Sequence, residues 1–300
     1  MSFPDVGFNY KRSAERELQV IELEMLQQRQ HKPTHPPDKP HRIGFYNLIV
    51  VEQGQGSHQV DFNRYAFQAG DFIAVQRHQI HAFDFSSPVK GKVLLFTQRF
   101  VDQALANMRL SEFSPTSLDT GLVPVFTPDQ ALRDSCFALL DEIEKELARD
   151  DSNTLIAMHL FSSLFLMLRR ARPPQSQGRL SKEQQQRMIR FATLLEQQFQ
   201  SNRDAASYAE QLHCTYKTLN QLCKLATGKT AKQIIDAFTV LEAKRRLSID
   251  RLTTQQLAYD LGFEDASNFV KYFKKHTGFT PARFQKQLGL AQATVGLSKS

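Results

Sequence analysis

Ser267, Asn268, Lys271, Lys274 and Lys275 recur at spacings that put them on one side of a helix, opposite Phe269, Tyr272 and Phe273. An asparagine amide both donates and accepts, and can pair with an adenine edge. Lysine reaches guanine or a phosphate, and a serine near a helix N-terminus suits a phosphate. Side chains of this kind on an exposed helix face can read duplex DNA. The positions around them fit that use. Gln255 to Phe284 (QQLAYDLGFEDASNFVKYFKKHTGFTPARF) reads as a helix, a turn at Gly262-Phe263-Glu264-Asp265, a second basic helix, a stop at Gly278 and the start of a third helix. A helix-turn-helix with its second helix in the major groove has this layout.

A looser copy stands about fifty residues upstream. Asp204 can cap a helix carrying Tyr208, Ala209 and Leu212, His213-Cys214-Thr215 is its turn, and Tyr216 to Thr227 is its second helix. Leu219, Leu222, Cys223 and Ala226 face inward there, which leaves Tyr216, Lys217, Asn220, Gln221 and Lys224 to face a duplex. Gly228 and Gly278 supply the left-handed stops. Thr230 and Thr280 each cap the next helix, with Pro281 at a first helical position. Ile234 to about Ser248 forms one connecting helix. At ~1.5 Å per residue it spans roughly 22 Å. With its flanking turns it can hold two recognition helices about one DNA turn, ~34 Å, apart. Lys244, Arg245 and Arg246 on it are further phosphate candidates, or partners in structural pairs.

Charge follows the same division. From Ser181 on there are 18 Lys/Arg and 10 Asp/Glu; before it there are 20 and 21. A positive excess confined to one end favours a polyanionic partner. Cys136, Cys214 and Cys223 form no C-x-x-C pair, which argues against a disulfide framework or zinc site and fits a reducing cytoplasm. The N-terminus has no apolar signal-peptide core, and Leu155 to Leu168 is too short to span a bilayer.

The first half supplies different elements. Leu18 to Gln30 suits a strand or a helix. The four prolines of His31 to His41 make a loop. From Phe45 the pattern is β: a strand to Gly54, two strands around an Asn63-Arg64 turn closed by Gly70-Asp71, two more from Asp71 to Phe85, and another from Val89 to Phe100. Short strands at this spacing point to a small barrel or jelly roll. Leu132, Cys136, Leu139, Leu140, Ile143 and Leu147 then mark a helix begun by Pro128-Asp129. A second helix, to about Arg170, follows the cap Asp150-Asp151-Ser152-Asn153; it is apolar nearly all round and must be covered by the barrel or another chain. Ala171 to Arg179 is a polar, proline-bearing linker, and Ser181 with Gln184 has capping-box spacing, as does Thr253 with Gln256.

Gly54 through Phe83, with G-x-G-x-H, Y-x-F-x-x-G-D-F-I and H-x-x-H-x-F, resembles the cupin-type sensor half of AraC-family regulators. Leu261 to Pro281 (L-G-F-x-D-x-S-x-F-x-x-x-F-K-K-x-T-G-x-T-P) resembles the AraC/XylS-type DNA-binding domain. The second resemblance covers about Met188 to Lys286. The first copy departs from it at Gln221 and Cys223, where relatives usually carry Arg and Phe. The resemblance implies a multidomain α+β chain: a cupin-like β-barrel sensor with two following helices over 1–172, a linker over 173–181, an all-α domain with two helix-turn-helix modules over 182–288, and a tail over 289–300. It implies an effector-responsive transcription regulator, an activator in the family's usual mode, working on double-stranded promoter DNA in the cytoplasm. The two helices after the barrel are where relatives pair as homodimers. It implies no enzyme activity, cofactor, metal or membrane role. The paired His-x-His of cupin enzymes is missing, because Val60 follows two after His58. His58 and His81 are the candidate effector contacts, His81 at a strand end near the lumen mouth in the family pattern. The structural alternative for these two and for His78 is an ordinary turn or strand-end histidine. Two other readings stand beside the regulator: a constitutive DNA-binding protein whose barrel only dimerises, and a cupin-type enzyme with a DNA-binding tail.

Overall fold

The computed structural model describes residues 5–8, 17–28, 36–84, 87–108, 123–171, 180–249 and 252–287 of the 300. They fall into two compact units, residues 5–171 and 180–287. Residues 173–179 of the expected linker, the tail at 289–300 and residues 31–35 of the proline loop lie outside the described residues.

Two five-stranded sheets build the first unit. One runs in the order β1 (Asp5–Val6), β3 (His41–Ile43), β8 (Ile80–Phe83), β5 (Gln55–Val60), β6 (Asn63–Gln68). The other runs β10 (Val125–Phe126), β7 (Phe72–Val75), β4 (Tyr46–Gln53), β9 (Lys90–Phe96), β2 (Leu18–Glu22). Strand β4 shows why the second sheet is central. Six consecutive residues from Tyr46 are buried, so both its faces are covered. Ile49 and Val51 pack with Ile43, Val60, Phe67 and Phe83 of the first sheet. Tyr46, Leu48 and Val50 face the other way, against Phe100, Leu140, Ile143 and Phe161. Those last four belong to three helices, α2 (Gln98–Asn107), α3 (Gln130–Ala148) and α4 (Thr154–Ala171).

Three sequence readings change here. Leu18 to Gln28 is both strand and helix, β2 leading directly into α1 (Leu23–Gln28). The β5–β6 turn is Asp61-Phe62, not Asn63-Arg64, since Asn63 already pairs with Val60. Asp61 takes φ +51, and its carboxylate accepts from Ile80 N at 3.2 Å and Gln79 Nε2 at 3.0 Å, which ties the turn to β8. The strand expected to reach Phe100 ends at Phe96. Thr97 Oγ1 accepts from Phe100 N at 3.1 Å and starts α2 instead. Asp129 caps α3, and Asn153 Oδ1 accepts Leu155 N at 2.9 Å at the start of α4, both where the sequence places them. Among the described residues no helix is long and apolar enough to cross a membrane.

The second unit is all helix: α5 (Lys182–Gln198), α6 (Ala205–Gln211), α7 (Tyr216–Thr227), α8 (Ala231–Ile249), α9 (Thr254–Asp260), α10 (Ala266–Thr277) and a last run over 281–287. Both capping boxes form, Ser181 with Gln184 and Thr253 with Gln256. Gly228 and Gly278 end α7 and α10 at φ +73 and +78. Phe191, Leu195, Tyr208, Leu219, Leu257, Phe269 and Phe273 fill one core, so each module buries the inner stripe of its second helix. Helix α8 has 19 residues, longer than the sequence indicates, and spans about 28 Å.

Candidate nucleic-acid interface

Helix α10 buries Phe269 and Phe273 completely and half-buries Tyr272, which leaves Ser267, Asn268, Lys271, Lys274 and Lys275 exposed together on its outer side. Asp265 prepares the N-terminal end of that face. Its Oδ1 accepts Asn268 N and its Oδ2 accepts Asn268 Nδ2, each at 2.7 Å. Lys274, Lys275 and His276 occupy the last turn, where positive charge also suits the helix dipole. Tyr272 points the opposite way and donates to Asp236 Oδ1 on α8 at 2.9 Å. Burial, and then the Asp236 carboxylate, push its hydroxyl well above the usual tyrosine range, so it stays a proton donor.

Helix α7 presents Tyr216, Lys217, Gln221 and Lys224 in the same manner. Asn220 is placed differently. It is half-buried, and its Oδ1 accepts Ala231 N at 2.9 Å, satisfying one of the unpaired N–H groups at the start of α8. Its acceptor serves the fold. The residue that occupies the Asn268 position in this module is Thr218, exposed and 2.8 Å from the capping Thr215 hydroxyl. The offset of fifty between the copies carries that signal, although a threonine is neither an amide nor a cation. On α8, Arg245 is buried in an ion pair with Glu242 at 2.6 Å, so it is a structural partner rather than a surface cation. Lys244 stacks toward Phe284 and Arg246 toward Phe199, at 5.7 and 5.8 Å from the ring centres.

In the first unit His41, His58 and His81 lie on neighbouring strands and on one face, alternating with Ile43, Val60 and Phe83, which pack against the opposite sheet. His81 is the second of four residues in β8 and 1% exposed, so it sits inside the unit and not at a mouth. His81 Nδ1 lies 3.2 Å from His58 Nε2, and the His41 and His81 rings are 4.4 Å apart. Burial, then the neighbouring His41, push His58 down to about 3; the same two causes, with His58 added, hold His81 well below its ordinary value. Both rings are therefore neutral at pH 7. His58 Nδ1, His81 Nε2 and, on the inner side of β4, Asn47 Oδ1 are buried without a hydrogen-bond partner. Unsatisfied polar atoms enclosed among apolar side chains are rare, and they suit a small polar molecule. His78, by contrast, is exposed at φ +64 in the turn before β8.

Comparison with known proteins divides the chain in the same way. Residues 22–165 match the AraC-like ligand binding domain, and residues 208–287 match a helix-turn-helix domain. The HTH-type transcriptional activator RhaS of Escherichia coli (strain K12 / DH10B) is 22% identical over 242 residues, covering 80% of this chain and 85% of the relative. Among solved structures, ToxT from Vibrio cholerae is 13% identical with a TM-score of 0.44, covering 90% of this chain and 98% of that one. A transcriptional regulator from Chromobacterium violaceum, of the AraC-type DNA-binding domain-containing proteins, is 17% identical with a TM-score of 0.33, over 36% of this chain and 96% of its own.

Proposed function

The chain belongs to the AraC-type transcription regulators, which join an AraC-like ligand-binding domain to a helix-turn-helix domain, and from that premise we propose that it is an effector-responsive activator. In this reading α7 and α10 enter two successive major-groove segments of promoter DNA. The observation that carries it is the pair of like-built helices, each capped by a short polar residue, stopped by a left-handed glycine and exposing amides and lysines opposite a buried stripe. Lys271, Asn268 and Gln221 are the base readers; Ser267, Lys217, Lys224, Lys274 and Lys275 hold phosphates. Tyr216 and Thr218 complete the first face. Activation rather than repression is taken over from the relative described as an activator.

The effector would sit between the sheets and bond to His58, His81 and Asn47, whose orphaned atoms support this placement. A second copy would cover α4, where Leu155, Ile156, His159, Ser163 and Leu166 stand exposed on one face. The regulator would work in the cytoplasm. Selection of bound sequences from a random DNA pool by the full-length protein, with and without cell extract, tests the reading. Enrichment of a two-segment site, altered by extract, is expected; a pool that stays random would sink it. The apolar side chains that fill the space between the sheets favour one other reading, a barrel that only dimerises. A metabolite panel in a thermal-shift assay separates the two, because an effector at a hundred times its Kd stabilises by about 2.7 kcal/mol.

A further inference from the structure

The turn between α9 and α10 is not an open surface loop. Gly262 stands at φ +72, and a Cβ there would lie 1.6 Å from Gln200 O, just past the end of α5. The backbone of the second module's turn therefore packs directly on the corner that leads into the first module. Beside it Arg203, the residue before the α6 cap, donates from Nη1 to Leu261 O at 2.9 Å and from Nη2 to Gly262 O at 2.6 Å. Its guanidinium carbon is 3.8 Å from the centre of the Phe263 ring. Carbonyls at a helix end need partners from outside the helix. Here the partner comes from 58 and 59 residues away.

Helix α8 reaches the same corner. Lys232 Nζ donates to Asp236 Oδ1 at 2.8 Å and to Arg203 O at 3.4 Å. Asp236 Oδ1 also accepts from Tyr272 on the recognition helix α10, and the Tyr272 and Phe263 rings are 5.2 Å apart. In the first module the position matching Tyr272 is Leu222, a buried apolar residue. A helix-turn-helix thus does not require this arrangement for itself. It links one module to the other.

We infer that Arg203, with Asp236 and Tyr272, locks the second recognition helix against the first module and so sets which spacing between two DNA segments the chain accepts. This rests on the tandem DNA-reading function proposed above. The physical reason is the pitch of the duplex. One added base pair moves a segment by ~3.4 Å and turns it by roughly 35°. Two rigidly joined helices lose one contact when that happens. Loosely joined helices keep both, at the cost of a lower effective concentration for the second. Arg203 and Tyr272 are positioning residues: neither is placed on the face that touches DNA.

The test uses full-length protein and a two-segment site obtained from a random pool, with one base pair inserted or removed between the segments. Wild type is expected to lose about tenfold or more in affinity for each such change, as a rigid bivalent contact does. Arg203→Gln and Tyr272→Phe should bind the optimal site about three- to tenfold more weakly, yet lose threefold or less on the altered spacings. Their affinity for DNA with one segment scrambled should equal that of wild type. Tyr272→Phe keeps the ring in place and removes only the hydroxyl's bonds to Asp236 and Thr239 on α8, so it stands in if Arg203→Gln fails to fold. Variants that keep the full wild-type discrimination between spacings, or that weaken on every DNA alike, overturn the inference while leaving the tandem reading intact. A wild-type protein that selects only one segment overturns both.

Discussion

The carboxylate of Asp265 grips Asn268 twice, one oxygen on its backbone N–H and the other on its side-chain amide, both at 2.7 Å. The helix cap thereby orients the residue best suited to read a base. One amide proton is used, which leaves the second proton and the oxygen, the pair that bonds adenine in two places. Asn268→Ala should cost on the order of 1–3 kcal/mol on the selected site and little on unrelated DNA, and Lys271→Ala should behave alike. Asp265→Ala should weaken the selected site as well and lower the stability of α10 by about 1 kcal/mol. Titrations on both DNAs, with a melting curve for each variant, check this. Equal binding of the selected site by wild type and both Asn268→Ala and Lys271→Ala would rule out the docking.

Lys274 stands exposed one turn beyond Lys271 on α10, and the proposed docking gives it a backbone phosphate rather than a base edge. A phosphate contact releases a counterion whatever the sequence. Lys274→Ala should therefore weaken selected and unrelated DNA in parallel and flatten the plot of log K against log salt by about one unit of slope. Binding measured across a range of salt concentrations decides it. A loss confined to the selected site would make Lys274 a base reader instead.

The parts that were legible in the sequence are those set by neighbours along the chain. Ser181, Thr253, Asp129 and Asp204 cap the helices the pattern assigns to them, and Gly228 and Gly278 stop theirs, because capping needs only residues three or four apart. The features that were missed depend on contacts from elsewhere. Asn63 makes the better isolated turn, but Asp61 is bonded to Gln79 and Ile80 on another strand. Asn220 lies near the outer side of a helical wheel, yet its oxygen is committed to Ala231 on the next helix. The enclosed histidines follow from the register of three strands, which no local pattern displays.

That enclosure makes the first unit sensitive to acid. His58 is held near pKa 3 in the folded protein by burial and by His41, against about 6.5 in an unfolded chain. Above pH 6.5 the ring is neutral in both states and contributes nothing to pH dependence. Below it the unfolded chain takes up a proton that the folded one refuses, so stability falls as pH drops, by about 1.4 kcal/mol per unit until the folded pKa is reached. His81 is shifted in the same direction and adds to the slope; no carboxylate figures among the causes of either shift. Denaturation midpoints at pH 7.5, 6.5 and 5.5 should decline only below 6.5, and His58→Gln, which keeps hydrogen bonding but cannot titrate, should decline less steeply. An identical decline in wild type and His58→Gln would place the acid sensitivity elsewhere.

Helix α4 carries the last prediction. Leu155, Ile156 and Leu166 are 55, 48 and 43% exposed, on the side opposite Ala157, Phe161 and Leu164, which fill the core. Leaving three large apolar residues together in water is unfavourable, and a second copy of the same face can cover them. In a two-fold contact each residue counts twice. Full burial of a leucine contributes about 1.5–3 kcal/mol; with 43% of Leu166 left to bury in each copy, Leu166→Glu should weaken the pair by about 1.3–2.6 kcal/mol before repulsion between the two new charges is added. That alone is a loss of about one to two orders of magnitude in dimer affinity. Sedimentation of the full-length protein at tens of micromolar should show a dimer for wild type and a monomer for Leu166→Glu. A wild-type monomer under those conditions would leave the face without its partner and remove the homodimer from the mechanism.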